Sequence, residues 1–298
     1  MSFIIWYQVE IEEDKPAGLL GAAAALVGLG LPLKVSNSVF NGSYILDADI
    51  TITMTGGATA DSFEMTLLNL PTTSADLLKE KHDSGMKAKQ PLTVKIHLGY
   101  FDEPSTTTGS QPVLEGKITA IKSTIDKNGV AHTVIKGQEK GGYRLRTNPI
   151  AANLPQQSTG DDFLKNVIAR PYEIQVAAGS TLNLKLPDFT QKVFNGLQAL
   201  EKLADMAQAP LVVRDNTIYL GAAVGSSKDP APVAFSPDTN LVSQDELLEN
   251  DVDGERNGQP NRDPDQKPVR TRYQVKVLGH PGLRVGQVVT VQGLDPAP

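Results

Sequence analysis

Residues 113–137 read VLEGKITAIKSTIDKNGVAHTVIKG and predict a β-hairpin. Asp126-Lys-Asn-Gly129, in the middle of the stretch, supplies residues that tolerate the positive φ angles of a tight hairpin turn. The residues on either side form apolar-rich segments of strand length. The sequence therefore predicts one strand at residues 113–125 and its return partner at residues 130–137.

Further strands precede this hairpin. Alternating or β-rich segments predict strands at residues 44–54, 62–70 and 92–98. Residues 74–81 predict a short helix with Ser74 as its N-cap. Six or so antiparallel strands joined by short turns predict one closed or nearly closed β-barrel over residues 35–149, because closure removes exposed sheet edges.

After this barrel, the spacing of the apolar residues changes to the 3.6-residue period of a helix. Amphipathic helices are predicted at residues 158–170 and 192–208, and a pair of strands at residues 210–214 and 217–221. Asp161 and Asp162 fall in the first turn of the earlier helix, where negative charge is favourable. Residues 150–224 are therefore predicted to form a small α+β unit.

The last part of the chain predicts a second β domain, at residues 225–298. A strand is predicted at residues 270–278, a turn at 279–286 and a return strand at 287–292. Residues 247–268 are acidic and rich in Asn, Gly and Pro, a composition that predicts a loop. The predicted fold class is thus β-rich α+β: two β-barrel-like domains with a small α+β unit between them.

Residues 1–34 are predicted to stand apart from the first barrel, as an N-terminal strand and an apolar Ala/Gly segment. The uncharged run from Pro16 to Leu33 approaches the length of a membrane-spanning helix. Its glycines and Pro32 disfavour a helix, so we predict no stable membrane span. We expect residues 17–33 to be buried against the fold or against a neighbouring subunit, where small residues allow close approach.

Charge and composition exclude several classes of function. The 34 acidic residues outnumber the 28 basic ones, for a net charge of -6, which argues against a nucleic-acid groove. The chain has no cysteine, so disulfides, thiolate metal sites and cysteine nucleophiles are excluded. The first fifteen residues, MSFIIWYQVEIEEDK, lack the basic start of a secretory signal, and we expect no signal peptide.

No reactive constellation is predicted. The four histidines are far apart and form no metal-binding pattern: His82, His97, His132 and His280. The run from Glu249 to Gly254 resembles the start of a calcium loop, but Pro260 stands where a closing Glu is required. Asp47 and Asp49 are predicted to lie on the solvent face of a strand. We therefore predict no catalytic, cofactor-binding or metal-binding residue, no cofactor and no enzymatic activity, although triads can converge in space without a sequence signature.

Several local motifs carry a family resemblance. They are Phe63–Leu67, Leu114–Ile121 with its return Thr133–Gly137, the helical segments Asp161–Ile168 and Gly196–Ala204, and Val277–Val289. The last is the most specific, because Gly279, Pro281, Leu283 and Gly286 form a Gly-x-Pro-x-Leu-x-x-Gly turn that sets the backbone between two strands. Over residues 35–295 the chain resembles the baseplate hub family of contractile tails. This family includes phage late control D and tail hub proteins, the base of type VI spike proteins and the hubs of extracellular contractile injection systems.

The resemblance implies a structural function. In this family a homotrimer with two barrel-like domains per chain forms a six-fold-like ring, which adapts a trimeric spike to a hexameric tail tube. The expected partners are a trimeric spike protein, a tail tube or tube-initiator protein, other baseplate proteins and a tape measure protein. The expected location is the baseplate of a virion or injection particle, after synthesis in the bacterial cytoplasm.

Two further expectations concern the end of the chain and the alternatives. The sequence stops at Pro298, so the needle-like repeats and lysozyme-like domains of some relatives are missing and a separate spike is expected. The alternative functions are a tail-associated glycan-binding module and a cell-wall hydrolase.

Overall fold

The computed structural model describes residues 5–14, 31–38, 44–55, 59–100, 112–150, 159–180, 194–221, 233–249, 270–279, 283 and 289–293. The chain divides into two units, residues 1–227 with 284–286 and residues 228–283 with 287–298.

An eight-stranded sheet dominates the first unit. Its strands are β1 (Ile5–Glu12), β2 (Leu33–Ser36), β3 (Tyr44–Ile45), β4 (Ala48–Thr53), β5 (Ser62–Leu68), β6 (Thr93–Tyr100), β7 (Leu114–Ile125) and β8 (Ala131–Glu139). Their order in the sheet is β3-β2-β1-β6-β7-β8-β5-β4. All neighbours are antiparallel except the short parallel pair β2–β3. The predicted β-rich fold and the β7–β8 hairpin are confirmed.

The sheet curls into a barrel-like shape because its two edge strands are almost consecutive in the chain. Only Leu46 and Asp47 separate β3 at one edge from β4 at the other. The Leu46 N–H donates to the carbonyl of Ser36 at 3.2 Å, and the Asp47 carbonyl accepts from the Leu68 N–H at 2.9 Å. With 3.8 Å between consecutive Cα atoms, the edges are at most roughly 11 Å apart here. The prediction of one continuous strand at 44–54 is therefore wrong, because the chain crosses between edges at its middle.

The inner face of the curled sheet forms the first core. Alternate residues of its strands are buried, as in β1, where Tyr7, Val9 and Ile11 face inward. Helix α1 (Thr72–Lys87) adds Ala75 and Leu78 to the same core. The predicted helix at 74–81 exists but is longer, and its N-cap residue is Pro71, with no side-chain cap. The Ser74 hydroxyl instead lies 2.8 Å from the hydroxyl of Tyr44.

The N-terminal strand lies inside this sheet rather than beside it. β1 pairs with β2 on one side and along its whole length with β6 on the other, from Ile5 opposite Tyr100 to Glu12 opposite Thr93. The predicted boundary between residues 34 and 35 therefore falls within β2 and divides strands that pair. Of the predicted Ala/Gly segment, residues 17–30 lie outside the described residues.

A second core follows in the same unit. Its elements are α2 (Lys140–Thr147), β9 (Pro149–Ile150), α3 (Gly160–Asp162) continuing as a π-helix (Phe163–Ala169), β10 (Gln175–Val176), β11 (Phe194–Asn195), α4 (Gly196–Ala207), β12 (Leu211–Arg214) and β13 (Thr217–Leu220). The strands form a β10-β13-β12 sheet and a β9–β11 pair. Both predicted helices exist, and the β12–β13 hairpin is confirmed. The second helix was predicted to start too early, because Phe194–Asn195 form β11 and the helix begins at Gly196. Helix α2 was not predicted, because it begins with Gly141-Gly142, which disfavour a helix, and its arginines leave too few apolar residues to show a helical spacing.

The second unit contains four described strands. They are β14 (Val233–Phe235), β15 (Leu241–Glu249), β16 (Arg270–Val277) and β17 (Val289–Val291). β15 pairs antiparallel with β16, and β14 pairs parallel with β17. The predicted return strand thus pairs with β14 and not with the strand before it. The predicted loop at 247–268 begins too early, because β15 continues to Glu249, and residues 250–268 lie outside the described residues. A second barrel-like domain stays a prediction.

Candidate assembly site

A buried carboxylate connects the two cores of the first unit. Glu139 ends β8 and is only 3% exposed. Its Oε2 accepts from the backbone N–H of Gly142, at the start of α2, at 2.7 Å, and its Oε1 accepts from that of Asn216, in the β12–β13 turn, at 3.0 Å. Burial raises the pKa of Glu139 against the opposing effect of the backbone N–H groups. The carboxylate therefore fixes the second core to the end of a sheet strand.

The β12–β13 turn brings a buried guanidinium to the same place. Asp215 and Asn216 have φ angles of 47° and 56°, as a two-residue type I′ turn requires. Arg214, directly before them, is 2% exposed, and its Nη2 lies 2.7 Å from the sulfur of Met54. Its Nε lies 3.5 Å from a carboxylate oxygen of Asp215, an ion pair without hydrogen-bond geometry. Within the described residues, Nε and Nη1 of Arg214 have no hydrogen-bond partner.

Asp61 completes this buried polar cluster. It is 2% exposed, and its carboxylate accepts from the Thr55 N–H at 2.8 Å. Burial raises the pKa of Asp61, while that hydrogen bond and the charge of Arg214 act to lower it. Acids with raised pKa values are used in acid–base catalysis. Here both Asp61 and Glu139 are buried and already accept backbone N–H groups, so the arrangement supports a structural role.

A second buried ion pair lies on the sheet. The Lys117 side chain, on β7, is 3% exposed and pairs with Asp14; its ammonium also donates to the Thr93 hydroxyl at 2.8 Å. Burial lowers the pKa of Lys117 against the effects of Asp14. Partial burial alone would raise the pKa of Asp14, but the hydrogen bonds from Lys117 and Thr93 and the ammonium charge together lower it. The pair fixes the chain after β1 to the middle of the sheet.

The outer end of the β7–β8 hairpin is exposed and internally ordered. The Asp126 carboxylate accepts from the backbone N–H groups of Asn128 and Val130 at 2.8 and 2.9 Å, and Gly129 has a φ of 81°. Ile125 at this end is 72% exposed. Single exposed apolar residues are ordinary on protein surfaces, so this hairpin by itself does not define a binding site.

The second unit presents a more extensive exposed surface. β15 and β16 form a two-stranded ribbon, called the charged ribbon below, from Leu241 opposite Val277 to Glu249 opposite Arg270. Among the side chains described in this unit, only Phe235 is buried. Four large apolar side chains described in this unit are more than a third exposed: Val242 (54%), Tyr273 (39%), Leu278 (42%) and Val289 (40%). No third strand pairs with this ribbon among the described residues, and a two-stranded ribbon alone is marginally stable in water, so its surface is a candidate for contact with another chain.

The four residues of the predicted family turn are only partly placed. Gly279 lies two residues after the end of β16, and Leu283 is partly buried. Pro281 and Gly286 lie outside the described residues. The role of this turn stays a prediction.

The carboxylates considered as acid–base candidates have structural positions. Asp49 lies on the exposed face of β4. Asp162 forms a capping box with Thr159 at the start of α3, and Asp161 makes an ion pair with Lys165 at 3.1 Å. The predicted positions of Asp49, Asp161 and Asp162 are confirmed. Asp47 is exposed, but it lies in the crossing between β3 and β4 and not on a strand, so its predicted position on a strand face is wrong.

The histidines are separate from these groups. His82 is buried on α1, where its Nδ1 has no hydrogen-bond partner within the described residues, and His132 lies 3.5 Å from a carboxylate oxygen of Asp126. His97 lies in β6, and His280 is outside the described residues. In the described part of the chain, no group of three or more His, Asp or Glu side chains is arranged to hold a metal ion. No described helix is both long and apolar enough to cross a membrane.

Sequence reasoning missed the buried cluster of Asp61, Glu139 and Arg214. One signal was present for Glu139, which continues the inward-facing alternation of Thr133, Ile135 and Gly137 in β8. A charged residue at an inward position, followed by two glycines, indicates a carboxylate that accepts backbone N–H groups. No comparable local signal marks Asp61 or Arg214, because their partners are distant in sequence.

The comparisons with known proteins identify the fold. Over 96% of its length the chain superposes on 71% of a tail protein from Neisseria meningitidis, with 12% identity and a TM-score of 0.51. A 43 kDa tail protein of prophage MuSo2 from Shewanella oneidensis matches 81% of this chain and 61% of its own, with 13% identity and a TM-score of 0.49. A chain of the Francisella PdpA–VgrG complex matches 82% of this chain and 34% of its own, with 8% identity and a TM-score of 0.45. The protein thus spans less than two thirds of the Shewanella and Francisella chains.

The protein therefore has a tail-protein fold. This confirms, at the level of the fold, the predicted resemblance to tail and baseplate proteins. No protein-family model matches the sequence, and a search of curated proteins finds no match.

Proposed function

We propose that the protein is a structural baseplate hub of a contractile tail or injection particle, of the late control D-like type. The observation that carries this proposal is the fold shared with the Neisseria tail protein along almost the whole chain. In this function three copies form a ring that adapts a trimeric spike to the hexameric tail tube. The protein then acts in the baseplate as a component of the particle and not as an enzyme.

The proposed hub assigns a role to each part of the chain. The first barrel-like domain consists of β1 together with residues 33–149, residues 225–298 supply the second, and residues 150–224 are the α+β unit between them. The turn at Gly279, Pro281, Leu283 and Gly286 sets the backbone between strands of the second domain. Residues 17–33 lie at a subunit contact or beside the channel, and the acidic segment at 247–268 offers a contact surface for other baseplate proteins.

The chemistry of the first unit supports a structural role over a hydrolytic one. The two acids whose pKa is raised by burial, Asp61 and Glu139, accept backbone N–H groups inside the protein. A general acid must instead reach a substrate proton. The hydrogen bonds that Glu139 accepts connect the two cores and thereby stiffen the frame on which ring contacts depend.

Native mass spectrometry of the purified full-length chain tests this function. We expect a species with the mass of three 31.9 kDa chains, either for the protein alone or after addition of the spike protein from the same genome neighbourhood. A tube protein added next should bind the trimer and not the monomer. A chain that stays monomeric with both partners contradicts the proposal. Turnover of peptidoglycan by the purified chain would instead favour the cell-wall hydrolase.

A further inference from the structure

The sequence contains four Asn-Gly pairs, and the structure describes two of them. They are Asn128-Gly129 in the turn of the β7–β8 hairpin and Asn195-Gly196 at the start of α4; the pairs at 41–42 and 257–258 lie outside the described residues. Asparagine is a thermolabile residue. Before glycine, the next backbone nitrogen can attack the side-chain amide, because glycine has no Cβ to obstruct the approach. The two described pairs share this chemistry and differ in their surroundings.

The Asn128-Gly129 pair is open to solvent. Both residues are exposed. A Cβ placed on Gly129 would have no atom within 4 Å apart from its chain neighbours, so the space beside its nitrogen is open. The side-chain amide of Asn128 makes no hydrogen bond to a described residue. Its carbon Cγ is therefore free to turn toward the Gly129 nitrogen.

The hydrogen bonds of the turn hold that nitrogen loosely. The Gly129 N–H donates to the carbonyl of Asp126 at 3.0 Å, and the Asp126 carboxylate accepts from the N–H groups of Asn128 and Val130 at 2.8 and 2.9 Å. Hydrogen bonds at exposed loop tips open at a small cost in free energy. Opening of this turn alone exposes the Gly129 nitrogen, and the rest of the sheet stays folded.

The Asn195-Gly196 pair is held in place. The Asn195 side chain accepts from the Gln198 N–H at 3.0 Å, and the Gln198 side chain accepts from the Asn195 N–H at 3.3 Å, which makes a capping box. Gly196 is buried, and a Cβ placed on it would lie 2.6 Å from Cδ2 of Leu145. A reaction here must break the helix cap and move the packed start of α4. The same dipeptide is therefore protected at this position.

We propose that Asn128 is a site of spontaneous deamidation in the folded protein. The Gly129 backbone nitrogen gives its proton to hydroxide and attacks Cγ of Asn128. The new C–N bond closes a succinimide ring, and the side-chain nitrogen leaves as ammonia after taking a proton from water. Water then opens the ring at either carbonyl, which gives aspartate or isoaspartate. The sum of these steps consumes one water and releases one ammonia, with no oxidation or reduction.

The isoaspartate product changes the end of the hairpin. Its backbone runs through the former side chain, which adds one methylene group between the Cα of residue 128 and Gly129. The Asp126 carboxylate bonds N–H groups on both sides of this insertion, those of residues 128 and 130, and cannot keep both. Both products also place a new negative charge beside Asp126. We expect the Val130 amide to lose its protection from hydrogen exchange.

Peptide mapping by mass spectrometry of the full-length protein, aged at mildly alkaline pH, tests the proposal. Asn128 should deamidate at least about tenfold faster than Asn195, because only Asn195 must break a helix cap. In urea that unfolds the chain, the two pairs should react within about threefold of each other, since glycine follows both. Equal rates in the folded chain overturn the proposal. So does an Asn128 that stays intact while the unfolded chain is converted.

Three variants separate the steps. Asp126→Ala removes the acceptor of two turn N–H groups and should speed the reaction at Asn128 about threefold, with Asn195 unchanged as evidence of an intact fold. Asn128→Gln keeps the amide but requires a larger ring, so the aged variant should stay unmodified at residue 128 and keep the Val130 amide protected. Asn128→Asp adds the charge without the methylene group and should keep most of that protection.

The remaining outcomes are also decisive. An unchanged rate in Asp126→Ala contradicts the role given to the turn. If the Val130 amide is equally protected in the aged protein, in Asn128→Asp and in the unmodified chain, the change at the hairpin end is wrong. The inference makes no use of the proposed function, so its failure leaves the hub proposal standing, and a monomeric chain leaves the deamidation site standing.

Discussion

Replacing Glu139 tests whether one carboxylate holds the two cores of the first unit together. Glu139→Ala removes the acceptor of two backbone N–H groups, the buried one of Gly142 and the partly buried one of Asn216. A buried donor left unsatisfied costs about 1–3 kcal/mol. The variant also removes a buried charge, which offsets part of the loss. We expect the free energy of unfolding of the first unit to fall by about 3 kcal/mol.

Glu139→Gln separates the hydrogen bonds from the charge. The amide oxygen keeps an acceptor, and the neutral side chain avoids the burial penalty that raises the pKa of Glu139. The loss for Gln should therefore be less than half of that for Ala. Glu64→Ala is the control, since Glu64 lies in the same sheet, is about half exposed and makes a surface ion pair with Lys136 worth about 0–1 kcal/mol.

The pH dependence of the same variants has a defined sign. Because the folded-state pKa of Glu139 is raised above its ordinary value of 4.5, the folded protein binds this proton more tightly than the unfolded chain. Its contribution to stability is fully present below pH 4.5 and is lost as the pH rises through the folded-state pKa. As the pH increases, the unmodified chain should thus lose this contribution while Glu139→Gln does not, so the free energy of unfolding of the variant should rise relative to that of the unmodified chain.

Urea unfolding followed by the fluorescence of Trp6, the single tryptophan, measures these differences. Hydrogen exchange at the Asn216 amide provides a local readout, because this N–H should lose protection in Glu139→Ala and keep it in Glu64→Ala. If Glu139→Ala unfolds within about 1 kcal/mol of the control and its Asn216 amide stays protected, Glu139 does not connect the cores as argued.

Three further predictions concern other positions in the first unit. Asp14→Ala leaves the Lys117 ammonium buried without its carboxylate and should lower the free energy of unfolding in urea by about 2–3 kcal/mol. This is less than the full cost of breaking a buried pair, because Asp14 is 42% exposed. Adding Lys117→Met should recover part of the loss, and no recovery would contradict this account. Burial lowers the pKa of His82, so the contribution of this side chain to stability is present above pH 6.5 and is lost as the pH falls below 6.5. His82→Leu should therefore flatten the decline in stability between pH 7.5 and 5.5. An unchanged decline would show that His82 does not cause it. Gly129→Ala places a Cβ in open space but at a φ of 81°, so a loss of about 1 kcal/mol in thermal unfolding is expected from backbone strain alone, and no loss would show that the turn relaxes.

Local patterns predicted the strands of the first unit but not the path of the chain between them. The alternation of residues 44–54 is genuine on both sides of Leu46-Asp47, and it contains no sign that these residues cross from one sheet edge to the other. That crossing depends on hydrogen bonds to Ser36 and Leu68, which no local period encodes. For the same reason β1 was separated from the barrel although it lies in the middle of the sheet.

The candidate surfaces were predicted less completely than the fold. The acidic composition that begins at Leu247 indicated a loop, yet β15 continues to Glu249 because the pairing with Arg270–Val277 outweighs low local β-propensity. Asp61 and Arg214 could not be predicted, since each is buried by partners far away in sequence. Glu139 could have been predicted from its inward position in an alternating strand.

The two units differ in how they are stabilised, and this difference favours an assembly function. The first unit buries two apolar cores and connects them through Glu139, a costly device that fixes geometry more than it adds stability. In the described part of the second unit only Phe235 is buried, and Val242 and Tyr273 on the charged ribbon are exposed. A chain that covers the exposed side chains described in this unit would stabilise it by mass action. The stability of the second unit should therefore rise with protein concentration, whereas that of the first unit should not.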